Sequence, residues 1–142
     1  MPTILNNNQI TSICEAFNNR IDSLFVQESN IIALSKDEDF KVIKKHFFTK
    51  INALKKAIKI LSESKNSLEP WLSISFAELM QCVSAIDEKL EKYTALKEQA
   101  FLMQSSLEGV DLSETITNIN ILHDALFDAK EIICEYYNLN KS

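Results

Sequence analysis

Hydrophobic residues recur along the chain at intervals of three and four, the spacing that places side chains on one face of an α-helix. The first stripe includes a repeat of seven residues, which keeps one seam facing a partner helix, at Ile10, Phe17, Leu24 and Ile31. The second stripe comprises Phe40, Ile43, Phe47, Ile51, Leu54, Ile58 and Leu61. The two stripes predict helices over about residues 8–34 and 36–62, and the polar run 62–67 predicts a loop.

Two further stripes follow in the second half of the chain. The third comprises Leu72, Phe76, Leu79, Val83, Ile86, Leu90 and Tyr93, continued by Leu96 and Ala100. The fourth comprises Leu112, Ile116, Ile119, Leu122, Leu126, Ala129, Ile133 and Tyr136. They predict helices over about residues 69–107 and 112–137, with Pro70 in the first turn of the third helix. The tail 138–142 is expected to fray.

The boundaries between these stripes carry residues typical of helix ends. Ser35 and Glu38 have the spacing of a capping box before the second helix, and Asp111 and Glu114 have it before the fourth. Gly109 stands where the third helix must stop, as a C-cap glycine. Short connections between long amphipathic helices favour antiparallel neighbours.

The pattern therefore predicts an all-α fold, an elongated helical bundle of four helices in an up-down-up-down arrangement. We expect residues 1–142 to form one domain. Helices this long bury their whole seam only if a partner covers the overhang, which favours association with another chain.

The amino-acid composition agrees with an all-helical chain and argues against β-sheet folds and glycine-rich phosphate-binding sites. The 142 residues include 1 Gly and 2 Pro, where average usage gives about 10 and 7. Tight turns in sheets need these residues, and neither glycine-rich phosphate loop can be written with one glycine. The absence of a long apolar stretch predicts no membrane span, and the start of the chain predicts no signal peptide.

Charge is distributed unevenly along the chain. The formal net charge is −5, but residues 36–65 carry +5, residues 1–35 carry −2 and residues 66–142 carry −8. The second helix is thus a basic rod in an acidic protein. The acidic last third could balance it within one molecule or complement it between molecules, and the sequence leaves both open.

The basic face of the second helix is the candidate interaction site. Phe48 lies seven residues from Lys41 and Lys55, four from Lys44 and three from Lys45, so all share one face. The full candidate set is Lys41, Lys44, Lys45, Phe48, Lys55, Lys56 and Lys59. The alternatives are a core-edge phenylalanine beside solvated lysines, or a surface for nucleic acid or anionic lipid. With one arginine in the chain, we expect no nucleic acid partner.

The chain shows no pattern typical of catalysis, a cofactor or a metal. His46 and His123 are far apart, and no cysteine has a ligand spacing. The three cysteines fit reduced thiols in a cytoplasmic protein; we expect Cys14 to be buried and Cys82 and Cys134 to be more exposed. We therefore predict a protein that is not an enzyme, with no metal, no cofactor and no small-molecule ligand.

Two charged residues interrupt the apolar seams. Glu28 follows Cys14 and Ile21 in steps of seven, and Lys97 follows Val83 and Leu90 in the same way. Either residue could mark an exposed bundle end. Alternatively, the two could pair and fix the register of the helices, as buried polar residues can.

The fourth predicted helix is preceded and begun by the segment Glu108-Gly109-Val110-Asp111-Leu112-Ser113-Glu114-Thr115-Ile116. With the helix that follows, residues 108–137 resemble the start of the carboxy-terminal helix of flagellin and hook–filament junction proteins. Gly109 departs from that family, which has an acidic residue there. The resemblance implies a helix packed in a filament core, at Leu112, Ile116 and Ile119, and export without a cleaved signal.

We interpret the chain as a non-catalytic protein–protein interaction module, an adaptor, chaperone-like protein or assembly subunit that acts through helix faces. Another protein or a second copy is the expected partner. The alternatives are a structural filament or coiled-coil subunit of flagellin-like type, and an immunity or inhibitor protein.

Overall fold

The computed structural model describes residues 4–64 and 67–141. In this part of the chain there are no β-strands, and the α-helices are α1 (Asn7–Ala33), α2 (Phe40–Ser64), α3 (Phe76–Ser106) and α4 (Ser113–Lys141). Two short 3-10 turns, Asp37–Asp39 and Glu69–Ser73, precede α2 and α3. The all-α bundle predicted from the stripes is confirmed.

The helices pack as an up-down-up-down bundle. Of its two diagonal pairs, α1 and α3 lie closer together than α2 and α4. Each helix contacts its neighbours in the chain, α1 also contacts α4, and α1 contacts α3 across the bundle. In the described ranges, no Cα atom of α2 lies within 8 Å of a Cα atom of α4. Helices α1 and α3 therefore fill the centre, while α2 and α4 lie on opposite sides.

The hydrophobic core includes a group of buried side chains at the end of the bundle where α2 connects to α3. Trp71 is fully buried there, and its ring centre lies 6.4 Å from that of Phe17. Leu5, Leu68 and Ile74 are also buried. These residues lie outside the helical stripes, so the connections supply core that periodicity did not predict.

The opposite end of the bundle is less covered. Ile31 and Leu96, which the stripes placed on buried seams, are both about half exposed, as is Leu122. Leu34 and Leu102 are more exposed still. The periodic faces continue to this end, but no facing helix covers them fully, so the prediction of buried seams is wrong here. We call this region the open end.

The start of the third helix differs from its prediction. The segment around Pro70 is a 3-10 turn, and α3 begins at Phe76. The Ser75 hydroxyl accepts a hydrogen bond from the Glu78 backbone N–H at 3.1 Å, and the Glu78 carboxylate accepts one from the Ser75 N–H at 2.8 Å. This capping box satisfies two backbone donors and sets the first residue of the helix.

Neither capping box predicted from spacing forms. Ser35 instead donates its hydroxyl proton to the Ile31 carbonyl at 2.6 Å and closes the last turn of α1. Asp111 accepts hydrogen bonds from the backbone N–H and the hydroxyl of Ser113, two residues on. Gly109 has a φ of 77°, as a glycine after a helix can, in the turn between α3 and α4.

Two segments expected to be irregular are helical. Helix α2 continues to Ser64, within the predicted loop 62–67, of which residues 65–66 lie outside the described residues. Helix α4 continues to Lys141, through all the described residues of the tail expected to fray. The Lys141 ammonium donates to the carbonyl oxygens of Leu72 at 2.7 Å and Ile74 at 3.1 Å, which fixes this last turn.

Across the described residues, none of the helices has the combination of length and apolar character that crossing a bilayer requires.

Candidate functional site

A groove between α1 and α2 gathers most of the candidate residues. Its volume is about 670 Å³. The lining, which we call the basic groove, consists of Phe25, Glu28, Lys41, Lys44, Lys45, Phe48, Ile51, Asn52 and Lys55. The structure thus brings together five of the seven residues selected from the sequence. Spacing on α2 placed them on one face, and the packing of α1 beside that face makes it concave.

Two large aromatic side chains in the groove are open to solvent. Phe48 is 63% exposed, and Phe25 on the facing helix is 46% exposed. The Lys55 ammonium lies 5.9 Å from the centre of the Phe25 ring, within the range of a cation–π contact. The groove therefore offers apolar rings between cationic side chains.

The lysines of the groove have little local charge compensation. Among the described residues, Lys41, Lys44, Lys45 and Lys55 have no carboxylate within 4.0 Å of their ammonium groups. Glu28 contributes the one carboxylate in the lining. Four cations against one anion give the groove a positive potential, which favours an acidic ligand.

Two of the candidate lysines have partners elsewhere and do not line the groove. Lys56 donates to the Glu78 carboxylate at 3.2 Å and to the Ser73 carbonyl at 3.3 Å, so it ties α2 to the start of α3. Lys59 lies 4.0 Å from Glu63 of its own helix. These contacts give Lys56 a structural role and leave Lys59 beyond the groove.

The proposed pair of seam charges does not form. Within the described residues, neither Glu28 nor Lys97 takes part in an ion pair. Glu28 lies in the basic groove, on the side of α1 that faces α2 rather than α3. The register of α1 and α3 is instead supported by Arg20 with Glu88, and by Lys89 with Glu15 at 3.2 Å.

In the described ranges, no ion pair joins α2 to the acidic last helix of the same molecule, and no Cα atoms of the two helices lie within 8 Å of each other. The acidic side of α4 carries Asp124, Asp128, Glu131 and Glu135, all exposed. Lys130 beside them is engaged with Asp87 of α3 at 2.8 Å. The hydrogen bond that Lys130 donates to the Asp87 carboxylate raises the pKa of Lys130.

The cysteines are not arranged as reactive thiols. Cys82 is buried, against the expectation that it is exposed, because α4 covers this edge of the third stripe. Burial, with a contribution from nearby Glu78, raises the pKa of Cys82 to about 12. Cys14, which was expected to be buried, is half-buried, as is Cys134, and burial raises the pKa of both. Reactive cysteines require a lowered pKa, so these thiols are poor nucleophiles.

The described part of the chain holds no group of three or more histidine, cysteine, aspartate or glutamate side chains placed to bind a metal ion. His123 instead stacks on Phe127 with ring centres 6.4 Å apart, and its Nδ1 lies 3.2 Å from Asp124. His46 packs edge-on against Phe47 at 5.2 Å. Both imidazoles are thus occupied by neighbours on their own helices.

Sequence reasoning missed Phe25 as a site residue. Its place beside Leu24 in the first stripe indicated a core position. The groove could be found only from the packing of α1 against α2, which exposes Phe25 and directs it to the lysine face. Comparison of the chain with protein-family models, with curated proteins and with solved structures gives no match in any of the three.

Proposed function

We propose that this chain is a non-catalytic protein–protein interaction module that binds a helix of its partner in the basic groove. The observation that carries the proposal is the exposure of Phe25 and Phe48 between lysines that lack local carboxylate partners. Aromatic side chains exposed in a concave surface are typical anchors of protein interfaces. Lysines around such anchors add electrostatic steering and orientation.

The chemistry of the groove favours an acidic amphipathic helix as its ligand. Helices bind grooves by placing apolar side chains at intervals of three, four and seven residues into the floor. Here the floor would receive those side chains at Phe25, Phe48 and Ile51. Carboxylates on the flanks of the bound helix would meet Lys41, Lys44 and Lys45 at the rim.

The features of the rest of the molecule support an interaction role over a catalytic one. The thiol of Cys82 is buried and its pKa is raised to about 12, which disfavours the thiolate at neutral pH. The imidazoles of His46 and His123 are packed against aromatic rings rather than facing a cavity lined by other titratable groups.

A structural filament subunit is the second candidate, and the open end of the bundle favours it. In the second half of α3 and just beyond it, five large apolar side chains are about half exposed or more: Leu96, Phe101, Leu102, Met103 and Leu107. Exposed apolar surface of this extent is typical of association sites. The flagellin-like resemblance of residues 108–137 stays a prediction.

The proposed function is tested by retention of partners on the immobilised protein. Three forms are compared: wild type, the groove variant Lys44→Glu/Lys45→Glu, and the control variant Lys92→Glu/Lys97→Glu on α3. Each variant changes the net charge equally. We expect partners in extracts of the producing cells to be retained by wild type and control and lost from the groove variant. Equal retention by all three would contradict the proposal.

A further inference from the structure

The acidic side of α4 has features that match those of the basic groove. Asp124, Asp128, Glu131 and Glu135 recur at steps of four, three and four, so they form one stripe along the helix. All four are exposed. We call this surface the acidic stripe. Among the described residues, its one carboxylate contact with the nitrogen of a basic side chain is that of Asp124 with the His123 imidazole on the same helix.

Apolar side chains accompany the acidic stripe as they accompany the groove lysines. Ile121 is 60% exposed and Phe127 is 41% exposed. Ile121 lies three residues before Asp124, and Phe127 lies four residues before Glu131, so both are next to stripe carboxylates. The exposed side of α4 therefore carries a row of carboxylates with an apolar side chain on each side, and its charge is opposite to that of the groove.

The two surfaces are similar in length. Lys41 and Lys55 are separated by 14 residues of α2, and Asp124 and Glu135, the ends of the acidic stripe, by 11 residues of α4. At about 1.5 Å per residue, the row of lysines extends about 21 Å and the stripe about 17 Å. A helix laid in the groove could therefore place its carboxylates along most of the row of lysines.

Their positions in the bundle prevent the two surfaces from meeting within one molecule. Helices α2 and α4 lie on opposite sides of the central α1–α3 pair, and in the described ranges no Cα atoms of the two helices lie within 8 Å of each other. Both surfaces consequently remain open on the same molecule, with opposite charge. Complementary surfaces on opposite sides favour contact between molecules.

We infer that the basic groove of one copy binds α4 of a second copy through the acidic stripe. This inference rests on the proposed function and names the partner of the same groove. The contact joins two different surfaces, so it is heterologous, and each added copy presents a free groove and a free stripe. Assembly proceeds head to tail, as a ring or an open filament.

Sedimentation velocity with the 142-residue chain tests the inference by charge reversal. The groove variant is Lys41→Glu/Lys44→Glu/Lys45→Glu, and the stripe variant is Asp124→Lys/Asp128→Lys/Glu131→Lys. The substituted side chains are exposed, and circular dichroism checks that each variant is folded. Wild type at 0.1 M salt is expected to show a mass that rises with concentration, to at least twice the 16.2 kDa of one chain.

Each variant alone is expected to remain at the mass of one chain, because its groove and its stripe then have the same sign. An equimolar mixture is expected to assemble again, because each variant supplies the charge that the other needs. Raising the salt from 0.1 M to 1 M shortens the screening length from about 10 Å to about 3 Å, and is expected to weaken assembly.

A wild-type protein that stays at one-chain mass at all concentrations would overturn the inference. Assembly that persists in both variants would also overturn it and would place the contact elsewhere, for example at the open end. If copies do not assemble but groove-dependent retention of another protein is observed, this inference fails and the proposed function stands. If charge reversal in the groove changes neither the assembly of copies nor the retention of another protein, both the inference and the proposed function fail.

Discussion

The ammonium of Lys55 on α2 lies 5.9 Å from the centre of the Phe25 ring on α1, and this contact joins the two helices that line the basic groove. A cation–π contact at an exposed site contributes about 0.5–1 kcal/mol. The contact is too weak to hold the helices together, so the groove depends on the core beneath it. Binding and folding should therefore respond to different substitutions.

Replacement of Phe48 by serine is expected to leave stability nearly unchanged. Its side chain is mostly exposed, and surface substitutions change the free energy of unfolding by about 0.5 kcal/mol or less. The matched control is Phe17→Ala, at a fully buried ring against Trp71, with an expected loss of about 3–5 kcal/mol. Urea unfolding measures both. A similar loss for the two variants would show that Phe48 belongs to the core.

The last turn of α4 is expected to contribute to global stability. Tyr137 is buried and donates to the Ile74 carbonyl at 3.2 Å, and Lys141 donates to the same oxygen. Tyr137→Phe removes one of these hydrogen bonds, at an expected cost of about 1 kcal/mol. Asn138→Ala, at an exposed position one residue along, serves as the control. Equal stability of both variants in urea would indicate that this turn frays.

The helices could be predicted from the sequence because the period of the stripes is itself the geometry of the helix. The core supplied by Leu68, Trp71 and Ile74 could not, since residues in connections follow no period. The capping box of Ser75 and Glu78 was visible as a spacing, but Pro70 suggested an earlier helix start. Ser35 and Glu38 have the same spacing and form no capping box, so spacing alone does not determine whether a capping box forms.

The part of the candidate site that lies on α2 could be predicted from the sequence, but the part that α1 contributes could not. The spacing of Lys41, Lys44, Lys45 and Phe48 placed them on one face of α2, and the structure confirms this shared face. Whether Phe25 joins them depends on the angle and register at which α1 packs, which a single sequence does not encode in any local pattern. The exposure of Ile31 has the same origin, because it depends on how far the facing helices extend.

Stability is expected to depend on the charge of Glu78 in the acidic range. The Ser75 backbone hydrogen bond, with a further contribution from Lys56, lowers the pKa of Glu78 below its usual value. A lowered pKa stabilises the folded state above the pKa of the unfolded state, about 4.3, and this stabilisation is lost as pH falls through the lower folded value.

Glu78→Gln keeps the hydrogen-bond acceptor and removes the charge. Melting temperatures between pH 3 and pH 7 are expected to show wild type above the variant at neutral pH, with the gap closing below about pH 4.3. A gap that is constant over the whole range would contradict the assignment of the effect to this carboxylate.

The cysteines are expected to react in order of burial. Cys82 is buried with a pKa of about 12, whereas Cys14 and Cys134 are half-buried. At pH 8, a disulfide reagent should label two thiols of the native protein first and the third only as fast as the protein opens. The Cys82→Ala variant should lose the slow phase alone, and three equal rates in native protein would contradict the burial of Cys82.

The central claim, that a partner helix binds in the basic groove, is tested most directly by site-specific photocrosslinking. Two forms of the protein carry p-benzoylphenylalanine in place of Phe48 or, as a control, in place of Val42, which is exposed on α2 outside the groove lining. We predict an adduct of defined mass from position 48, at least about tenfold weaker from position 42, and lost with Lys44→Glu/Lys45→Glu. Equal adducts from both positions, or an adduct that survives charge reversal, would contradict the account.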